Sequence, residues 1–281
     1  MSVPVVALGK GAFASHPPNL VLMPDDPATE APWIARKARE AGAARMVVLA
    51  VPDAEAEAQA FAAAFTALGG EVLEVDAIPA DGDARAVLLG IRERTDDEEL
   101  LYALDEDLAL FSPDPDLIIR MPPGFDAVFL AAPGKTVFLL AAQLAWAGID
   151  TPIYGTSRWD DGHLLDDRGR YLARVRFAAA PVNAAPTPDL RRAIQLWRDA
   201  WHPEAVAALP SRATWLMFDA VRMLVEVLGA RGLKGMEAVK AISTMPMFPG
   251  ALGAFRFDES HRILRMPPLF TVRGGRIEPA G

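Results

Sequence analysis

Residues 46–75 read MVVLAVPDAEAEAQAFAAAFTALGGEVLEV, and their reading decides the fold class. MVVLAV is a short β-rich run, and PDAEAEAQAFAAAFTALGG reads as a helix ended by Gly69 and Gly70. EVLEV (71–75) is β-rich again. Strand, helix and strand in that order are the signature of parallel α/β architecture. Toward the C-terminus the same alternation continues: DARAVLLGIRER (83–94) as helix, DAVFLAA (126–132) as strand, 135 to about 147 as helix and TPIY (151–154) as strand. The run from 46 to 154 therefore describes one doubly wound lobe. An acidic stretch, TDDEELLYALDEDLALFSPDPD (95–116), interrupts it as an insertion.

Toward the N-terminus, VPVVAL (3–8) reads as a buried strand closed by Gly9 and Gly11, and NLVLM (19–23) as a second. Asp26 can cap the helix that follows, with Pro27 at its first position and Gly42 at its end. The second half differs. RVRFA (174–178) is extended, and 188–201, 211–232 and 234–243 are helical. Leu216, Ala220, Met223, Leu224 and Val227 keep helical spacing, so this face packs on something. Only 3–8 and 19–23 are available as sheet for it, which implies a lobe that is incomplete in this chain. GAFRF (253–257) and LFTVR (269–273) close the sequence, with turn signals at residues 258–260 and 274–275.

Composition narrows the function. With 281 residues, 52% of them hydrophobic, the chain can bury the cores of two lobes. Its net charge of −9, from 37 acidic against 28 basic residues, repels phosphate backbones and argues against nucleic acid. No window approaches the roughly 20 apolar residues of a membrane-spanning helix. The absence of cysteine excludes disulfides, thiol nucleophiles and thiolate metal sites. The opening MSVPVVALGKG has none of the regions of an export signal.

Several segments resemble chemical motifs and fall short of them. Gly134-Lys135-Thr136 lies between a strand and a helix, but a P-loop needs a glycine where Phe129 stands. Ser157, in YGTSRW, follows a strand as a hydrolase nucleophile would. The elbow, however, needs glycine where Trp159 stands, and Asp258 and His261 share one turn. A strand-end loop donating hydrogen bonds from Thr156, Ser157 and Arg158 is the stronger reading, and a serine hydrolase the remote one. His16, His163, His202 and His261 are dispersed, and the acidic clusters 96–99, 105–107 and 160–161 match no calcium loop. No catalytic residue, metal or cofactor is expected. Trp197 and Trp201 share a helix face that reads as packing, with Arg191, Arg192 and Arg198 as its exposed complement.

Beyond these local patterns, PVVALG (4–9), NLVLMPDDPATEAPWIARKAREAGAARMVVLAVPD (19–53), AFTALGGEVLEV (64–75), FDAVFLAAPGKTVFLLAAQLAWAGIDTPIYGTSRW (125–159) and RMPPLFTVRGGRIEP (265–279) resemble the activators of penicillin-binding proteins, the LppC-type lipoproteins. These in turn are similar to the leucine/isoleucine/valine-binding proteins of ABC importers. GALGAFRFDESHRI (250–263) resembles a late turn of that wider superfamily. The resemblance implies a two-lobed, type I periplasmic binding protein-like α/β fold with doubly wound parallel sheets. Lobe one would be residues 1–24 and 182–249, entered partway through, without leader or lipid-attachment cysteine. Lobe two would be 25–181 and 250–281. It implies a periplasmic or outer-membrane location in the full-length protein.

The function so implied is a non-enzymatic envelope protein that docks to a peptidoglycan synthase or another envelope protein. The alternative is an ABC-importer receptor for an amino acid or amide. Amino-acid-binding relatives close over the ligand with an aromatic-Gly pair; this chain has Asp53-Ala54-Glu55-Ala56-Glu57 there, with no ring to stack. The candidate surface is the inter-lobe cleft at strand-end loops: Gly9, Lys10, Asp53, Thr156, Ser157, Arg158 and Trp159.

Overall fold

Apolar runs without alternation fold into the middle of a sheet whose two faces are both covered. The computed structural model describes residues 4–8, 17–24, 26–95, 122–160, 164–165, 171–180, 186–201, 210–230 and 232–280. It places β3 (Arg45–Ala50), β5 (Ala127–Ala131) and β6 (Ile153–Gly155) at the centre of a seven-stranded sheet, where β5 and β6 are buried throughout. β4 (Glu71–Ala77) takes one edge and is partly exposed along its length. β7 (Val175–Ala178) lies on the other side of β6, followed by β10 (Leu269–Arg273) and β11 (Arg276–Pro279). The order is β4-β3-β5-β6-β7-β10-β11, parallel from β4 to β7 and antiparallel in the last two pairings.

Helices cover this sheet. α1 (Ala31–Glu40) packs beside α2 (Glu55–Ala67), and α3 (Arg85–Thr95) beside α4 (Gly134–Trp146). Phe61 on α2 stacks on Phe129 of β5, with ring centroids 3.9 Å apart. The expected strands and helices of residues 46–154 thus form within about three residues of their expected ends. Before α1, Asp26 caps a short 3-10 turn, Pro27–Thr29, by accepting from the Ala28 amide at 3.1 Å. The acidic stretch lies outside the described residues from Asp96 onward, as do His16, His163 and His202.

A second hydrophobic cluster gathers the rest. β1 (Val5–Ala7) and β2 (Leu20–Leu22) pair in parallel. α5 (Pro188–Trp201), α6 (Arg212–Leu224) and α7 (Gly235–Ser243) also contribute, α6 running on as a π-helical stretch, Val225–Ala230. Leu216, Ala220, Met223 and Val227 are buried there, as their spacing requires. A hairpin of β8 (Ala254–Phe257) and β9 (Ile263–Met266) lends Phe255, Phe257 and Ile263 to the same cluster, and a bridge between Leu22 and Arg262 joins it to β2. Among the described residues, cluster membership changes between Met23 and Ala31, between Ala179 and Ala180, and between Ile263 and Phe270. None of the described helices is long and apolar enough to cross a membrane.

Candidate functional site

In an open parallel sheet, ligands gather outside the carboxyl ends of the strands, where neighbouring connections diverge. Here that point lies between β3 and β5: β3 leads through α2 to β4 on one side and has β5 on its other. The Val51 amide donates to the Ala131 carbonyl at 3.0 Å, which holds the two strand ends together. Asp53 follows β3, and residues 156–159 follow β6 as a second short 3-10 turn, Ser157–Trp159, capped by Thr156.

These loops meet in a network of charged groups. The Arg158 Nε donates to Glu57 Oε2 at 3.0 Å and its Nη1 to Asp53 Oδ2 at 3.1 Å. The Thr156 hydroxyl donates to the other oxygen of Glu57 at 2.5 Å. Ser157 gives both its amide (2.9 Å) and its hydroxyl (2.8 Å) to Glu30, the residue just before α1. Glu30 also accepts from Arg212 Nη2 at 3.0 Å. Arg212 opens α6, whose apolar face belongs to the second cluster, so this ion pair ties the two halves of the molecule.

Burial gives the network its electrostatics. Glu30 and Glu57 are 0% and 2% exposed, whereas Asp53 is exposed. Loss of water pushes the Glu57 carboxyl up to about 7 from its ordinary 4.5; the Thr156 bond and the Arg158 charge pull it back, and nearby Glu30 pushes it further up. Elsewhere, burial likewise pushes Asp219 on α6 up to about 6, against the amides of Ala251 and Leu252 that it accepts.

Of the residues singled out from sequence, Asp53, Thr156, Ser157 and Arg158 come together here. Gly9 and Lys10 lie outside the described residues. Trp159 turns inward: it is 0% exposed, donates its indole N–H to the Leu130 carbonyl at 3.2 Å and stacks on Phe177. Gly155 makes room for it, since a Cβ there would sit 2.1 Å from the indole ring. The Ser157 hydroxyl donates its hydrogen bond to the Glu30 carboxylate, in contrast to the imidazole that accepts it in a hydrolase triad.

Sequence reading missed Glu30, Glu57 and Arg212. A signal existed for the acids. Glu30, Ile34 and Ala38 are spaced by four, as are Glu57, Phe61 and Phe65, and Asp219 lies four residues before Met223 and four after Trp215. An acid in register with an apolar helix stripe is buried with it.

As assembled, the site's donors already serve the chain's own carboxylates. A ligand carboxylate entering here has to displace Glu30 or Glu57 from Thr156, Ser157, Arg158 and Arg212. Alternatively, a partner can meet the rim, where Asp53 and part of Arg158 face solvent.

Known structures share this architecture. A candidate branched-chain amino acid ABC transporter protein of Rhodospirillum rubrum superposes with a TM-score of 0.69 at 23% identity, over 94% of this chain and 68% of that one. Full-length LpoA of Haemophilus influenzae superposes with a TM-score of 0.66 at 14% identity, over 99% of this chain and 44% of that one. The C-domain of the same LpoA, described as a regulator of PBP1A, gives 0.62 at 14% identity, over 98% of this chain and 74% of that domain. These likenesses establish the fold. No curated protein matches the sequence significantly. A family model described as "Periplasmic binding protein" matches residues 2–276. The chain belongs to the periplasmic binding protein family, with a type I-like α/β fold.

Proposed function

We propose that this chain is a non-enzymatic interaction module of the cell envelope that acts by docking to a protein partner, a peptidoglycan synthase. One observation carries the reading: among the described residues, the side-chain donors of Thr156, Ser157, Arg158 and Arg212 are each held by an internal carboxylate. Thr156 and Arg158 are held by Glu57, and Ser157 and Arg212 by Glu30. A receptor for a free amino acid keeps such donors for the ligand, because displacing a buried ion pair costs several kcal/mol on the order of the binding energy itself. The sequence Asp53–Glu57 adds no aromatic closer. We take the two hydrophobic clusters as the two lobes of this reading, with the Glu30–Arg212 pair between them; the β8–β9 hairpin, expected in lobe two from sequence, then goes with lobe one, since Phe255, Phe257 and Ile263 pack with Leu216 and Met223.

The alternative, an ABC-importer receptor, is supported by the position of the network at the switch point of the sheet, where small ligands collect. Thermal melting with a panel of amino acids and their amides separates the two. A ligand present at a hundredfold excess over its Kd adds about 2.7 kcal/mol of stability. The docking reading expects no shift with any member of the panel; a shift that disappears in Ser157→Ala would establish the receptor instead.

A further inference from the structure

α4 turns one face to the larger hydrophobic cluster, where Val137, Leu140, Ala141 and Leu144 are buried. The opposite face is apolar as well. Lys135, Leu139, Ala142 and Trp146 recur at intervals of four, three and four, which sets them in one line along the helix. Leu139 is 44% and Trp146 57% exposed, and Ala142 is half-buried. From Thr136 to Ile149 the sequence carries no charged residue. The helix is pinned with this seam outward. Gln143 accepts from the Ala84 amide at 2.7 Å and donates to the Gly82 carbonyl at 2.9 Å, and Arg92 of α3 donates to the Gly148 carbonyl at 3.0 Å.

Single exposed apolar side chains are ordinary on a protein surface. A straight apolar seam is the pattern by which one helix packs along another. The order of residues along this seam is nearly the same read from either end. Leu139 and Trp146 stand three and four residues either side of Ala142, and Lys135 and Asp150 stand seven and eight. An antiparallel copy of the helix, crossing at Ala142, therefore sets leucine against tryptophan and lysine against aspartate at both ends. Lys135 is exposed, and the Asp150 side chain is 72% exposed while pairing with Arg174. Antiparallel packing also sets the positive end of each helix dipole beside the negative end of the other. The small side chain at the crossing lets the two backbones approach closely.

We propose that the outer face of α4 is a self-association surface, through which two copies of this chain pair about a two-fold axis at Ala142. Such a contact uses one patch twice, so each favourable pairing occurs in duplicate. Trp146 is its anchor, packing against the partner's Leu139. The pairing is separate from the docking role above and does not depend on it.

Sedimentation velocity of this chain over a concentration series tests the assignment. A monomer–dimer equilibrium with a Kd of about 100 µM or tighter is expected. Trp146→Lys, at a position more than half exposed, should keep the fold and weaken the dimer at least about tenfold. Met217→Lys, at an apolar side chain 53% exposed on α6, should leave it unchanged. The chain has no cysteine of its own, so mild oxidation of the Ala142→Cys variant should trap a disulfide-linked dimer across the axis. The assignment is overturned if the chain sediments as a monomer at about 100 µM, or if Trp146→Lys keeps the wild-type affinity. An equal loss in Met217→Lys, marking general apolar association, overturns it too, as does an Ala142→Cys variant that fails to cross-link.

Discussion

Replacing Trp159 with alanine is expected to lower the unfolding free energy by about 3–5 kcal/mol, read from urea titration. The indole is wholly buried, stacks on Phe177 of β7 at 5.7 Å between centroids, and donates to a carbonyl of β5. The cavity left behind would lie beside three central strands, β5, β6 and β7, whose mutual hydrogen bonds keep them from collapsing into it. The larger part of the loss is therefore cavity and packing, and the hydrogen bond adds about 1 kcal/mol. Trp159→Phe, which keeps a ring, should recover much of the difference. A loss below about 1 kcal/mol for the alanine variant would mean that the indole is not held as described. The same side chain anchors the turn that presents Thr156, Ser157 and Arg158, so the variant should also loosen the strand-end network.

The second large effect is on pH dependence. Glu57 binds its proton more tightly in the folded chain, about 7 against 4.5. A carboxyl raised by folding contributes nothing below its unfolded value, where both states are protonated. As pH rises from 4.5 through 7 the unfolded chain ionises first, and stability falls. The fall attributable to Glu57 is about 3 kcal/mol across that window. Asp219, raised from 3.8 to about 6, acts in the same direction at lower pH, so the interval above pH 6 belongs mainly to Glu57. Glu57→Gln retains the shape and a hydrogen-bonding oxygen but cannot ionise. Urea titrations at pH 5 and 7.5 should show the wild-type chain losing about 2 kcal/mol more than the variant, since part of the change falls outside that interval. Equal losses in the two proteins would show that Glu57 stays ionised throughout.

Both predictions concern residues whose burial was unevenly legible. The strands of the larger sheet declare themselves because β3, β5 and β6 carry unbroken apolar runs, and a strand covered on both faces has no reason to alternate. β9 does not declare itself. Its sequence ILRM puts Arg265 on the buried face, so no two-residue period marks it. β11, RIEP, is an edge strand with most of its side chains exposed, and its polar residues read as tail.

In the site, Asp53 and residues 156–158 follow from the rule that functional loops lie at the carboxyl ends of parallel strands. Glu57 was hidden by its position. An acid in the first turn of a helix ordinarily complements the helix dipole in solvent, and only its register with Phe61 and Phe65 tells otherwise. Arg212 could not be inferred at all, since its partner Glu30 stands 182 residues away and they meet only through packing of the two clusters.

In the proposed function Thr156, Ser157, Arg158 and Arg212 stay bonded to Glu57 and Glu30, and the exposed rim at Asp53 meets the partner protein. Titration of immobilised chain with a purified bifunctional peptidoglycan synthase from the same cell, followed by surface plasmon resonance, tests this most directly. The account predicts saturable binding in the micromolar range or tighter, about −8 kcal/mol or better, reduced by Asp53→Lys at the exposed rim. A flat response at synthase concentrations well above that range would contradict it.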